Sequence, residues 1–152
     1  PEAQLDRFMM QLSMGFPTPD EELAIIERFI ASNPIDELAP VCTKDDIYNM
    51  GIAAKNVYVD KSVRKYIVDI INATRNNSSI SSGISPRGTL ALLKAVQVYA
   101  AINGRDYVIP EDVRAVVHDV LRHRIGITYE AEAENITSVD IINKIVNEIE
   151  VP

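Results

Sequence analysis

Seven consecutive residues, Gly83-Ile84-Ser85-Pro86-Arg87-Gly88-Thr89, come nearest to a chemical motif in this sequence. Their glycine spacing is that of a phosphate-cradling loop, in which backbone N–H groups surround the phosphates and a lysine reaches the outer ones. Thr89 stands where that lysine belongs, the segment follows a loop instead of a strand, and no Gly-Lys pair occurs in the chain. By itself the segment does not hold a nucleotide. Arg87 is a separate matter. Ser85-Pro86 opens a helix, so Arg87 falls in its first turn, where the positive end of the helix dipole disfavours a cation. A bound anion would supply a reason, because guanidinium and free N–H groups together make a phosphate-binding corner. A solvated arginine is the alternative.

Other reactive residues give less. Arg7 lies between acidic Asp6 and apolar Phe8, and from spacing alone a salt bridge explains it as well as a functional role. Arg122-His123-Arg124 ends a helix, where cations are favourable on electrostatic grounds. His118 and His123 are five apart and diverge on a helix, with no cysteine or carboxylate cluster at ligand spacing, so no metal site is expected. Cys42 is flanked by Val41 and Thr43 and has no motif relation to a histidine or an acid. Asp45-Asp46 reads as an acidic first helical turn.

The elements that must position these residues are almost all helical. Thr18-Pro19-Asp20-Glu21 carries a capping-box pattern ahead of Leu23, Ile26 and Ile30. Thr43 precedes a second helix with Ile47, Met50 and Ala54. Asp60 caps a third, in which Val63, Ile67, Ile70, Ile71 and Thr74 share a face. From Leu90 to Ile102 only Lys94 and Gln97 are polar, so the helix after Ser85 is apolar nearly all round and is expected at the centre of a bundle, with Leu93 in its core. Asn103-Gly104 ends it with a left-handed cap. Pro110-Glu111-Asp112 opens a helix that faces Val113, Val116, Val117, Val120 and Leu121 inward. Thr137 opens the last, with Ile141, Ile142, Ile145, Val146 and Ile149 on its apolar side. The Asn- and Ser-rich stretch from Asn76 to Gly83 reads as a loop. Phe8, Met10, Leu12 and Met14 alternate with the period of a strand, which would need a sheet the chain does not contain. A small hairpin is expected around Tyr107–Ile109 and Ile127–Tyr129. The fold class is all-α, a helical bundle from about Pro19 to Ile149.

Composition narrows the function classes. With 152 residues, 47% of them hydrophobic, the chain can bury a sizeable core, and 6% aromatics with no tryptophan make that core aliphatic. A net charge of −7 argues against nucleic-acid binding, which relies on clustered lysine and arginine. One cysteine cannot close an internal disulfide and fits a reducing compartment. No stretch approaches a membrane span and no signal-peptide pattern opens the sequence. A soluble cytoplasmic domain is expected, and the absence of an initiator methionine before Pro1 suggests a fragment.

Several motifs, in order and spacing, carry a resemblance. Pro1-Glu2-Ala3-Gln4-Leu5-Asp6-Arg7-Phe8, followed by Gly15-Phe16-Pro17, resembles the segment that closes the ATPase core of MoxR proteins. Gly83 through Ala95 resembles the sensor-2 helix of that family. Gly104 through Val113 and Val120-Leu121-Arg122-His123-Arg124-Ile125 complete the pattern over essentially the whole chain. The resemblance implies the helical lid of a MoxR-type AAA+ ATPase: residues 1–16 a remnant of the ATPase core, 17–152 the lid. It implies that Arg7 is an arginine finger acting on a neighbouring subunit's nucleotide, and that Arg87 is the sensor-2 arginine contacting ATP phosphate. Nucleotide-loop elements would lie upstream, so the full-length parent would hydrolyse ATP with Mg while this chain alone would not. It further implies homo-oligomeric rings, commonly hexamers, chaperone-like remodelling, and von Willebrand A-domain partners. The competing reading from another class is a free-standing acidic helical adaptor that binds protein partners.

Overall fold

The computed structural model describes residues 2–152, and side chains from Gln4 onward; Pro1, the first residue of the N-terminal motif, lies outside the described residues. In chain order the helices are α1 Glu2–Leu5, α2 Pro19–Ala31, α3 Lys44–Lys55, α4 Lys61–Arg75, α5 Pro86–Ile102, α6 Pro110–Leu121, α7 Tyr129–Ala133 and α8 Ser138–Glu148. Short 3₁₀ turns occupy Pro34–Glu37 and Arg122–Arg124, and two short strands, β1 Ile80–Ser82 and β2 Gly126–Ile127, complete the set. Among the described residues no helix is long and apolar enough to cross a membrane.

Local caps fix where the helices start. Thr18 N–H donates to the Glu21 carboxylate at 2.7 Å while Glu21 N–H returns to the Thr18 hydroxyl at 3.4 Å. Thr43 and Asp46 repeat the exchange at 2.8 and 3.1 Å, and Thr137 and Asp140 at 2.9 and 3.2 Å. Each reciprocal pair satisfies two N–H groups that the helix itself leaves open. Asp60 accepts from Ser62 N–H at 2.8 Å. That bond, with those from the Ser62 and Tyr58 hydroxyls, holds its carboxyl at a pKa of about 2. Gly104, at φ +73°, closes α5 in the left-handed conformation that a side chain would strain, and lets Arg105 N–H reach the Ala100 carbonyl at 3.0 Å.

The chain divides into two compact units, residues 1–11 with 51–152, and residues 12–50. The second holds α2, the Pro34–Glu37 turn and most of α3, and buries none of its side chains: Leu23, Ile26, Ile30 and Met50 are all exposed. Helical spacing therefore gave the right conformation for Pro19–Ala31.

In the larger unit α5 packs chiefly on α6 and also on α4, and α8 packs on both α4 and α6. Val63, Ile67, Ile70, Ile71 and Thr74 of α4, Val113, Val116, Val117, Val120 and Leu121 of α6, and Ile141, Ile142, Ile145 and Val146 of α8 are buried as their spacing requires. The α5 helix departs from expectation. Gly88, Ala91, Leu92, Ala95, Val96 and Ala100 face inward, while Leu90, Val98 and Ile102 are exposed. Leu92 is fully buried and Leu93 only partly so. The small inward residues let α5 lie close on its neighbours, so it buries one face and is not surrounded.

The sheet differs too. Ile127 pairs antiparallel with Ile80, in the stretch read as pure loop, and not with Tyr107–Ile109. Tyr107 instead makes a parallel bridge to Tyr58, with Tyr58 N–H on the Asp106 carbonyl at 2.7 Å and Val108 N–H on the Tyr58 carbonyl at 2.9 Å. Both contacts join segments remote in sequence, which local turn patterns do not reveal. Residues Phe8–Met14 form no strand; the chain turns after α1 and runs on irregularly.

Asp112, at the start of α6, is almost fully buried and receives the Arg105 guanidinium on both oxygens, at 2.7 and 2.5 Å, and Ile109 N–H at 2.9 Å. Burial pushes its carboxyl pKa up, but these bonds and the Arg105 charge outweigh it and hold the group below the ordinary aspartate value.

Two stability measurements test this packing. Leu92→Ala is expected to cost about 2–5 kcal/mol in urea unfolding and Leu93→Ala distinctly less, because only the first opens a fully enclosed cavity. Asp112→Asn removes one side of a buried pair and is expected to cost about 3–5 kcal/mol at pH 7. Because the folded pKa is depressed, this stabilisation is complete above about pH 4 and fades as pH falls through the folded value, so the variant and wild type should converge in acid. A gap that persists unchanged at pH 2–3 would mean the carboxylate is not the stabilising species.

Candidate functional site

The start of α5 is built by three residues with separate tasks. Ser85 is its N-cap and accepts from Gly88 N–H at 3.3 Å. Pro86 sets the helical φ and brings no N–H. Arg87 follows, exposed, and makes no hydrogen bond or ion pair among the described residues. A cation at the dipole's positive end with no partner is locally unfavourable.

The Ser85 hydroxyl also reaches back across the chain, donating to the Asp6 carboxylate at 3.1 Å. Asp6, the chain neighbour of Arg7, is thereby tied to Ser85, two residues before Arg87. Arg7 is itself exposed, and its side chain has no partner among the described residues. The salt bridge weighed for Arg7 is instead made by Asp6, to Arg124 Nε at 3.2 Å.

Arg124 is the centre of this corner. Only 1% of its side chain is exposed. Its guanidinium donates to the Asp6 carboxylate, to the Asp6 carbonyl at 3.3 Å, to the Met9 carbonyl at 3.2 Å, and to the carbonyls of Phe8 and Val120. Burial lowers its pKa, Asp6 opposes that, and the positive charge of Arg87 adds to the lowering. Arg122 bonds the Gln11 carbonyl, Gln11 N–H donates to the Asp119 carbonyl at 2.8 Å, and His123 Nε2–H donates to the Phe8 carbonyl at 3.2 Å. Burial holds the His123 pKa below the ordinary histidine value. The carbonyls of Phe8, Met9 and Gln11, which a strand would have given to a sheet, go to these side chains instead. The tripeptide read as a cationic helix end is thus a clamp on the N-terminal segment. Helix electrostatics could not reveal this, since the partners lie more than a hundred residues away.

Gly88 makes the arrangement possible. A Cβ there would stand 2.5 Å from Ile84 Cγ2 and 3.1 Å from Arg124 Cδ. Beside it Asp6, Ser82, Gly83, Ser85, His123 and Arg124 line a polar cleft of about 290 Å³. Among the described residues no three His, Cys, Asp or Glu side chains converge as a metal site.

Residues 72–145, which run from the end of α4 through α5 and α6 into α8, match the AAA lid domain family. The chain carries an AAA lid domain. Its whole length is 42% identical to an uncharacterised protein YeaC of Bacillus subtilis, of which it covers 48%. It is 35% identical to Chaperone MoxR1 of Mycobacterium tuberculosis, covering 42% of that protein. A crystal structure of a Cytophaga hutchinsonii protein, provisionally described as an ATPase, superposes with a TM-score of 0.91 at 33% identity, over all of this chain and 49% of that one. The MoxR resemblance of the motifs therefore rests on whole-chain similarity as well. The AAA lid chain spans about half the length of the curated relatives it matches.

Gly88→Ala is expected to destabilise the AAA lid domain by about 1–3 kcal/mol, through overpacking against Ile84 and Arg124. Hydrogen exchange in residues 6–11 should quicken more than exchange in α6. Equal quickening in both would place the effect in the general core.

Proposed function

We propose that this chain is the lid of a MoxR-type AAA+ ATPase, coupling ATP binding and hydrolysis within a homo-oligomeric ring to chaperone-like remodelling of partner proteins. Arg87 acts in this reading as the sensor-2 arginine on ATP phosphate, and Arg7 as the finger that reaches a neighbouring subunit's nucleotide. One observation carries it: Arg87 is exposed, and without a side-chain partner among the described residues, at a helix start where a cation lacks any local reason to be.

The residues present fit a phosphate but not its metal. A planar guanidinium presents paired N–H donors that match phosphate oxygens, and the helix start adds partial positive charge. Mg in the parent would be held by the upstream core. When bound, ATP supplies the phosphoryl group and the energy of its transfer. This chain's part is electrostatic: Arg87 and Arg7 stabilise negative charge that develops on phosphate oxygens, each from a different side of a subunit boundary. Asp6 balances Arg124, so the buried cation does not compete for the anion. Remodelling partners that contain von Willebrand A domains, and a hexameric ring, belong to the same proposal, whose chaperone part is supported by similarity to Chaperone MoxR1.

In the full-length ATPase, Arg87→Ala is expected to slow turnover about ten-fold or more, on the order of what losing an electrostatic stabiliser costs. Arg87→Lys should recover only part, since an ammonium lacks the two-pronged geometry. Arg7→Ala should also slow turnover, but in mixed rings its defect should appear at the neighbouring subunit's site. Melting temperature, ring size and ATPase rate are to be measured on the same preparations. An Arg87→Ala ring that assembles and turns over like wild type removes the assignment and leaves the acidic adaptor as the better reading.

A further inference from the structure

Arg124 stands outside the phosphate chemistry just proposed, yet it has an unusual set of acceptors. Four of its five bonds end on residues 6, 8 and 9, which bracket Arg7 on both sides. The fifth ends on the Val120 carbonyl in α6, so the guanidinium is anchored to the packed core. The same Asp6 carboxylate it holds accepts from Ser85, two residues before Arg87. A single planar group thus joins three pieces of chain: the segment bearing Arg7, the end of α6, and the start of the helix bearing Arg87. We propose that Arg124 is a positioning residue that locks Arg7 to the start of α5, so that the two exposed arginines move as one rigid piece.

The consequence rests on the reading that Arg7 and Arg87 serve nucleotides at different subunit boundaries. If Arg87 follows the nucleotide of its own subunit, any displacement of α5 is carried through Ser85, Asp6 and Arg124 to Arg7. The state of one site is then passed to the next without a flexible joint. Three features favour a stiff link. The guanidinium is almost wholly excluded from water, so its bonds are not readily exchanged for water. The Arg124 side chain passes so close to Gly88 that a Cβ there would stand 3.1 Å from its Cδ. Gln11 N–H and the Gln11 carbonyl fasten the far end of the segment to Asp119 and Arg122.

The test uses the full-length ring with Arg124→Lys, and with Asp6→Asn as a milder second variant should the first fail to fold. Lysine keeps the charge but cannot span acceptors on Asp6, Phe8, Met9 and Val120 at once. Exchange of amides 7–11, Gln11 above all, is expected to quicken about ten-fold or more, while the α4 and α6 amides stay protected. Maximal turnover should fall on the order of ten-fold with KM for ATP little changed, because positioning and not binding is lost. In mixed rings the defect should fall on the neighbouring subunit's site. In an Arg7→Ala background Arg124→Lys should add little, since both changes remove one contribution. Unchanged exchange of residues 7–11, or losses that add in full in the double variant, would overturn the proposal. If Arg7→Ala itself leaves turnover intact, the reading of Arg7 as a finger falls, and the exchange measurement still decides whether Arg124 holds the segment.

Discussion

A guanidinium taken out of water must find acceptors for its N–H groups or sacrifice several kcal/mol of hydration. Arg124 finds a carboxylate and four carbonyls, and the way it finds them organises the whole corner of the domain. The N-terminal segment joins no sheet among the described residues, and its open carbonyls are the ones this cation requires. Each side resolves the other's unsatisfied groups. The contact also decides which arginines remain outside: Arg124 is neutralised by Asp6, whereas Arg7 and Arg87 have no side-chain partner among the described residues.

A second buried ion pair follows the same rule at the other end of α6. Asp112 serves as both partner of Arg105 and cap of the helix start, so the loop that follows Gly104 is tied to the helix it leads into. The α6 helix is therefore fixed at both ends, by Asp112 at its start and by Arg124 at its finish. The hydrophobic contacts of Val113, Val116, Val117 and Val120 fill the interval. Apolar burial supplies the larger free energy, and the two ionic contacts set where along its axis the helix sits.

How much of this was legible in the sequence depended on range. Caps at Thr18, Thr43, Asp60, Ser85 and Thr137 were readable because donor and acceptor lie within four residues. The buried faces of α4, α6 and α8 were readable because polar residues on their other faces set the phase. The α5 helix has almost no polar residues to do so, which is why Leu93 was favoured over Leu92. Alternation at Phe8, Met10, Leu12 and Met14 imitated a strand, but pairing depends on a partner that a period cannot supply. At the site, the first-turn placement of Arg87 was legible through its local cap. The clamp of Arg124 was not, since its acceptors are mostly backbone carbonyls and leave no trace in residue type.

The Asp6 carboxylate against Ser85 and Arg124 also shapes the field outside the molecule. The chain carries seven more acidic than basic residues, so over most of its surface it repels a polyphosphate. At this corner one acid is committed to the buried cation, and the exposed Arg7 and Arg87 have no side-chain partner among the described residues. An anion diffusing toward the domain meets attraction along one bearing and resistance along the others. In the role proposed for Arg7 and Arg87, such a surface would act as a directional filter, its excess negative charge turning a phosphate ligand to one orientation before any contact is made.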